Sequence, residues 1–132
     1  GITLHTVGGI KNIPGYRKYV SVDGGMTDNI RYALYGSKYD FLLANKANQP
    51  KDDVVTIAGR CCESGDLLGE GVPLQTAEVG DILCTCATGA YNYTMSSNYN
   101  RVCTPGVVFV KGGESRVVIK AQTLEDLVRN DI

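Results

Sequence analysis

"GVVFVKGGESRVVIKAQ", residues Gly106–Gln122, sets two apolar runs on either side of the pair Gly112-Gly113. Glycine reaches positive φ without penalty, and a two-residue hairpin turn of the kind that matches strand twist needs it. Val and Ile dominate both flanks, as strands favour. The stretch therefore predicts a β-hairpin, and the pattern repeats outward from it. "KYVSVDGG" (Lys18–Gly25) alternates and ends in a glycine turn. "YDFLLANKA" (Tyr39–Ala47) and "DDVVTIAGR" (Asp52–Arg60) are apolar runs bounded by polar residues and Pro50. "GDILCTCATG" (Gly80–Gly89) follows a turn signal. Only "TLEDLVRND" (Thr123–Asp131) reads clearly as helix: Thr123 and Asp126 have capping-box spacing, and Leu124, Leu127 and Val128 form an apolar stripe. Sixteen glycines punctuate the chain. Short strands at regular spacing predict a mostly β fold with short helices, a Greek-key barrel or packed sandwich of about six or seven strands.

At 132 residues the chain has the length of one domain, and no repeat or linker divides it. A chain of this size can bury ~65% of its unfolded surface, enough for one core. Apolar residues make up 43% and the formal net charge is -1. Nucleic acid and anionic membranes call for a basic face, so neither is expected as a partner. No apolar run approaches the ~18 residues of a membrane span. The opening "GITLHTVGG" has no basic region followed by an apolar one, so it does not read as a signal peptide. It reads as a chain entered part-way through a strand, hence as a fragment or processed product.

Five cysteines without a secretory signal suggest free thiols and a cytoplasmic location. Cys61 and Cys62 are adjacent, Cys84 and Cys86 are one residue apart, and His5 is the only histidine. Structural zinc sites usually separate paired cysteines by two to four residues. No metal is expected, and Cys84 and Cys86 read as small apolar residues on one face of a strand.

Three loops concentrate reactive groups. In "DGGMTDNIRYALYG" (Asp23–Gly36), Gly24-Gly25 either cradles a phosphate on bare N–H groups or makes a plain turn. Arg31 and Tyr35 are one helical turn apart if the segment coils; they either grip a carboxylate together or are an exposed Arg beside a half-buried Tyr. In "GRCCESGD" (Gly59–Asp66), a thiol at Cys62 adjoins the Glu63 carboxylate. A thiol can donate a proton near neutral pH, and a carboxylate pairs with a substrate ammonium. The alternative places Cys61 at the end of a strand core and lets Asp66 start a turn. In "TGAYNYTMSSNYN" (Thr88–Asn100), phenols and hydroxyls suit a phosphate or polar cofactor edge. Tyr91 follows the small pair Gly89-Ala90, while Tyr93 and Tyr99 read as structural rings with locally satisfied hydroxyls.

Taken in order, "SVDGGMTDNIRYALYG", "CCESGD" and "GDILCTCATGAYNYTMSSNYN" resemble the C-terminal half of the diaminopimelate decarboxylase family. The resemblance runs from "TLHTVGGIKNIPGYRKYVSVDGG" through "TPGVVFV". "CES" followed by "GAY" and by Met95–Asn100 separates this family from the ornithine decarboxylases, which are similar only in outline. One departure is Tyr32, at a position that is often proline.

The resemblance implies a pyridoxal-phosphate enzyme, a lyase that converts meso-diaminopimelate to L-lysine and carbon dioxide in the last step of lysine biosynthesis. It implies a two-domain architecture in which residues 1–132 are the C-terminal β domain of the alanine-racemase-like decarboxylases. A (β/α)8 barrel would carry the Schiff-base lysine and the phosphate loop. No lysine here matches that position, so the chain alone is expected to be inactive. By the same resemblance, Cys62 is the acid/base beside the cofactor and Glu63 binds the distal ammonium. Arg31 and Tyr35 take the distal carboxylate, and Tyr91 contacts the substrate and lies against the cofactor near its phosphate. The Cys-Glu-Ser loop would reach into the site of a second subunit, making a homodimer with shared active sites. Three other readings stand beside this one. The chain could be the same domain of another basic-amino-acid or carboxynorspermidine decarboxylase, although Arg31 with Glu63 favours a zwitterionic distal end. It could be a non-catalytic β module that regulates a decarboxylase. It could also be an unrelated β-barrel binding module.

Overall fold

The computed structural model describes residues Gly1–Ile132. Eight strands carry the fold. They are β1 (Ile2–Ile13), β2 (Arg17–Val22), β3 (Phe41–Leu43), β4 (Asp53–Ala58), β5 (Leu67–Leu74), β6 (Ile82–Cys86), β7 (Val107–Lys111) and β8 (Glu114–Ile119). The first six form one sheet in the order β3-β6-β1-β2-β4-β5, and β7-β8 stand apart as a hairpin. All pairs in the large sheet are antiparallel except β2 with β4. The reason is the crossover. After β2 the chain travels to the far edge to make β3, then returns to lay β4 beside β2. β6 in turn comes back by a long connection to lie beside β1, as in a Greek key.

The sheet curls into a nearly closed barrel, as the spacing of short strands predicts. Alternation aims Val20 and Val22, Val55 and Ile57, and Phe41 and Leu43 at a common interior with Leu68, Leu74 and Leu83. The edge strands β3 and β5 meet across the remaining gap, where a Cβ on Gly69 would lie 3.1 Å from Phe41 Cε2. Side chains take up what the missing ladder leaves open. Leu43 N–H donates to Gln75 Oε1 at 2.9 Å, and Lys51 Nζ donates to the Phe41 carbonyl at 2.6 Å. Gln75 is buried, so its amide acts as a seam where a backbone strand would otherwise be needed.

Every strand run expected from the pattern is present, though "YDFLLANKA" yields only three strand residues before a 3₁₀ turn at Ala44–Lys46. The hairpin forms with Gly112 and Gly113 both at positive φ, 60° and 81°. It is exposed on both flanks, with Val108, Phe109, Val110 and Val117 open. Cys84 is buried and Cys86 half-buried on β6, and burial, then the neighbouring Cys86, push the Cys84 thiol up. Besides the expected helix, α3 (Leu124–Val128, capped by Thr123 and Asp126), two short helices appear: α1 (Arg31–Tyr35) and α2 (Ala90–Thr94). Leu124 and Val128 are exposed rather than packed. No helix is long and apolar enough to cross a membrane.

Candidate functional site

The three loops converge through hydrogen bonds that backbone amides donate to carbonyl and side-chain oxygens of the neighbouring loop. Met26 N–H donates to Asp66 Oδ1 at 2.6 Å and Arg60 N–H to the Gly24 carbonyl at 3.1 Å, which joins the first loop to the second. Ser97 N–H donates to the Thr27 carbonyl at 3.0 Å, which joins the third to the first. Cys62 N–H donates to Asn100 Oδ1 at 2.7 Å, which joins the second to the third.

The first and third loops place Arg31, Tyr35 and Tyr91 together. Helix α1 brings Arg31 and Tyr35 onto one side, with the guanidinium carbon 5.3 Å from the Tyr35 ring centre. Helix α2 delivers Tyr91, whose ring centre is 5.5 Å from the same carbon. The guanidinium is thus attracted by the faces of two phenols. Its only other polar contact is Nη1 to Met95 Sδ at 3.9 Å, and no carboxylate pairs with it. Arg31 and Tyr91 line a groove of about 440 Å³ with Lys38, Asp40, Thr88 and Gly89. Tyr35 is exposed, not half-buried. Tyr32, the departure from proline, occupies the first turn of α1 and its hydroxyl donates to Glu70 Oε2 on β5 at 2.9 Å. Proline is tolerated in a first helical turn, so the exchange leaves Arg31 in place.

The chain turns at Gly24-Gly25, and the Gly25 amide is not free. Gly25 N–H donates to Asp28 Oδ2, and the Gly25 carbonyl accepts from Asp28 and Asn29. The next amide, Met26, is taken by Asp66. The neighbouring sole histidine, His5, is buried 3.4 Å from Asp28 Oδ2, and no third ligating side chain joins the pair.

The second loop separates its two thiols. Cys62 is exposed and Cys61 is half-buried. Burial, then the Asp66 charge and a hydrogen bond to it, push the Cys61 thiol up to about 11. Cys61 is therefore held as a neutral thiol. Glu63 is exposed and has no cationic partner; its Oε1 accepts only from Gly65 N–H at 2.8 Å. Cys62 and Glu63 do not line the groove of Arg31 and Tyr91.

Two residues escape sequence reasoning. Asp66 does more than start a turn. It is buried, and its carboxylate accepts from Cys61 N–H at 2.7 Å as well as from Met26. A Cβ on Gly59 or Gly25 would lie 2.2 or 2.4 Å from its oxygens, so both positions require glycine. Met26 and Asp66 are 40 residues apart, and no spacing rule joins them. Asn100 is the second, holding the Cys62 amide from a left-handed backbone at φ 54°. Tyr93 and Tyr99, read as packed rings, are instead substantially exposed.

Comparison with known proteins fits this arrangement. Residues 1–89 match the family model described as pyridoxal-dependent decarboxylase, C-terminal sheet domain. The chain is 52% identical over 132 residues to the diaminopimelate decarboxylase of Bacillus subtilis (strain 168), covering 100% of this chain and 30% of that one. It is equally similar, 52% over 132 residues, to the Staphylococcus aureus (strain COL) diaminopimelate decarboxylase, covering 99% and 31%. The crystal structure of diaminopimelate decarboxylase from M. jannaschii in complex with L-lysine superposes with a TM-score of 0.89 at 34% identity, over 99% of this chain and 30% of that one. The chain thus spans about a third of the length of the curated relatives it matches, at 30% and 31%.

Proposed function

The chain belongs to the pyridoxal-dependent decarboxylases, as their C-terminal sheet domain, and from that premise we propose that it completes the active site of a diaminopimelate decarboxylase. In this reading residues 1–132 are one domain of a longer enzyme whose (β/α)8 barrel supplies the Schiff-base lysine. The observation that carries it is the unpaired Arg31 guanidinium held between the Tyr35 and Tyr91 rings at an open groove. A guanidinium so held, with no carboxylate of its own chain, is set to take a carboxylate from a ligand. Glu63, an exposed carboxylate with no cation, supplies the opposite charge. Together they match the two charges at the distal end of diaminopimelate. A substrate lacking those charges leaves both groups unpaired, which is how such a site rejects it.

The residues present fit one edge of pyridoxal phosphate. Tyr91 is exposed at the groove and its hydroxyl has no partner within the chain, so it would hold the cofactor near the phosphate. The amides of Gly25 and of Met26 beside it are already bonded and do not take part. The cofactor, when bound, withdraws the electrons left by the departing carboxylate. This chain then contributes the rest. Arg31 and Tyr35 fix the distal carboxylate, Glu63 fixes the distal ammonium, and Cys62 Sγ carries the proton for the carbon that loses carbon dioxide.

Arg31 and Glu63 do not meet within one chain, although one diaminopimelate must reach both. A homodimer that lends the Cys62–Glu63 loop of one subunit to the groove of the other resolves this. The site is small-molecule chemistry in a reducing, cytoplasmic setting. In the full-length protein, Cys62→Ala lowers kcat for diaminopimelate by ~10²–10⁴-fold, the range for a lost general acid. Cys61→Ala retains activity and loses stability of ~1 kcal/mol. Wild-type activity in Cys62→Ala, or a dead and stable Cys61→Ala, removes Cys62 from this role.

A further inference from the structure

Three successive amides lead into the Cys62 side chain, and each is bonded. Arg60 N–H goes to the Gly24 carbonyl at 3.1 Å, Cys61 N–H to Asp66 Oδ2 at 2.7 Å, and Cys62 N–H to Asn100 Oδ1 at 2.7 Å. The Cys62 thiol is exposed and makes no hydrogen bond of its own. The direction in which it leaves the chain, along its Cα–Cβ bond, is therefore set by the peptide that carries it. The last of the three bonds, the one on the cysteine itself, comes from Asn100.

Asn100 is not a passive neighbour. It and Arg101 both adopt left-handed backbone, φ 54° and 56°, a conformation that side-chain-bearing residues seldom take in succession. Asn accepts it more readily than other residues with a Cβ. The flanks of this strained pair are tied down. Asn98 Nδ2 donates to the Val102 carbonyl at 2.9 Å and to Gln122 Oε1 at 2.6 Å. The Arg101 guanidinium pairs with Asp131 at 2.8 Å and with the Leu127 carbonyl at 3.5 Å. The carboxamide of Asn100 is thus delivered to the Cys62 amide from a base anchored at both ends. Strain kept in this way persists only where surrounding contacts over-determine it.

We infer that Asn100 is a positioning residue, whose carboxamide oxygen aims the Cys62 thiol by fixing the Cys62 peptide. The inference rests on the proposed role of Cys62 and adds a residue to it. The test compares Asn100→Gly, which keeps the left-handed backbone and drops the acceptor, with Asn100→Asp, which keeps both. Both are made in the full-length protein, with and without Cys62→Ala. Hydrogen exchange of a peptide covering Gly59–Asp66 reads the bond directly, and kinetics with diaminopimelate read its consequence.

Asn100→Gly speeds exchange at the Cys62 amide by ~10-fold or more, because the only acceptor is gone. It lowers kcat by ~10-fold or more with KM changed less than about twofold, since misplacing a reacting group by ~1 Å can cost 10²-fold. Asn100→Asp restores both readouts. On the Cys62→Ala background Asn100→Gly has no further effect, because there is no thiol left to aim. Unchanged kcat in Asn100→Gly, beside an impaired Cys62→Ala, overturns the inference and leaves the role of Cys62 standing. An equal loss of kcat with and without Cys62 also overturns it, as a merely structural contact. A fully active Cys62→Ala removes the reading beneath it and the inference with it.

Discussion

Cys61 and Cys62 share a peptide bond and little else. Cys61 is half-buried, and burial, then the adjacent Asp66 carboxylate, push its thiol up to about 11. Cys62 is exposed. At pH 8 a thiol with that value is ionised in only about one molecule in a thousand, and the thiolate is the nucleophile. Iodoacetamide at pH 8 should therefore label Cys62 well before Cys61, as mapped by peptide mass; Cys61 labelled first contradicts this description of the loop. The same thiol gives a pH dependence. Its folded value lies above the ordinary 9.0, so the native state holds a proton that the unfolded chain releases first. The stability from Cys61 is then present below about pH 9 and lost as pH rises toward 11. Cys84, pushed up by burial and by Cys86, adds in the same direction. Thermal midpoints should fall between pH 9 and 11, and more steeply than in Cys61→Ser. Cys62 rather than Cys61 was legible as the candidate because "CES" and its neighbours resemble a family motif. Asp66 was not, since its importance comes from Gly25, Gly59 and Met26, which only the fold brings to it.

Strands are where composition speaks most clearly, and they are also where it fails. The Gly112-Gly113 hairpin is readable because a two-residue turn demands positive φ, and both glycines adopt it. Strand β5 is not readable as a run. Gly69, Gly71 and Pro73 interrupt "LLGEGVPL", and such residues ordinarily argue against a strand. They are tolerated because β5 is an edge strand with irregular pairing to β4. Helices α1 and α2 have five residues each, as α3 does, but they start after Ile30 and Gly89, which offer no capping side chain to declare them. The closure of the barrel is also hidden, because it depends on Gln75, a polar residue in the core. Gln75→Leu should leave the buried Leu43 N–H without an acceptor and cost ~1–3 kcal/mol. Thermal unfolding of the full-length protein checks this: an unchanged midpoint would mean that the seam does not depend on the amide. Asp66→Ala strips acceptors from two amides and is expected to lower the midpoint by a similar margin.

The whole molecule is a nearly closed barrel with its reactive loops tied into one cluster and an apolar hairpin left open beside it. The position of those loops follows from the crossover that sets β4 parallel to β2, which carries the Cys62 loop to the end of the sheet where Asp23–Gly36 begins. The proposed reading assigns the Schiff-base lysine to a separate barrel. Mixed with pyridoxal phosphate and reduced with borohydride, the 132 residues alone should keep their mass. A stoichiometric adduct, at Lys38 in the groove for example, would contradict the assignment of that lysine to a separate barrel. The central claim is that Arg31 of one subunit and Cys62 of another serve one substrate. It is tested most directly by co-expressing two inactive forms of the full-length protein, Arg31→Met and Cys62→Ala. Random pairing makes half of the dimers mixed, and each mixed dimer holds one intact site of two, so decarboxylation of diaminopimelate should return to roughly a quarter of the wild-type level. Activity that stays at the level of the separate variants would contradict the shared site.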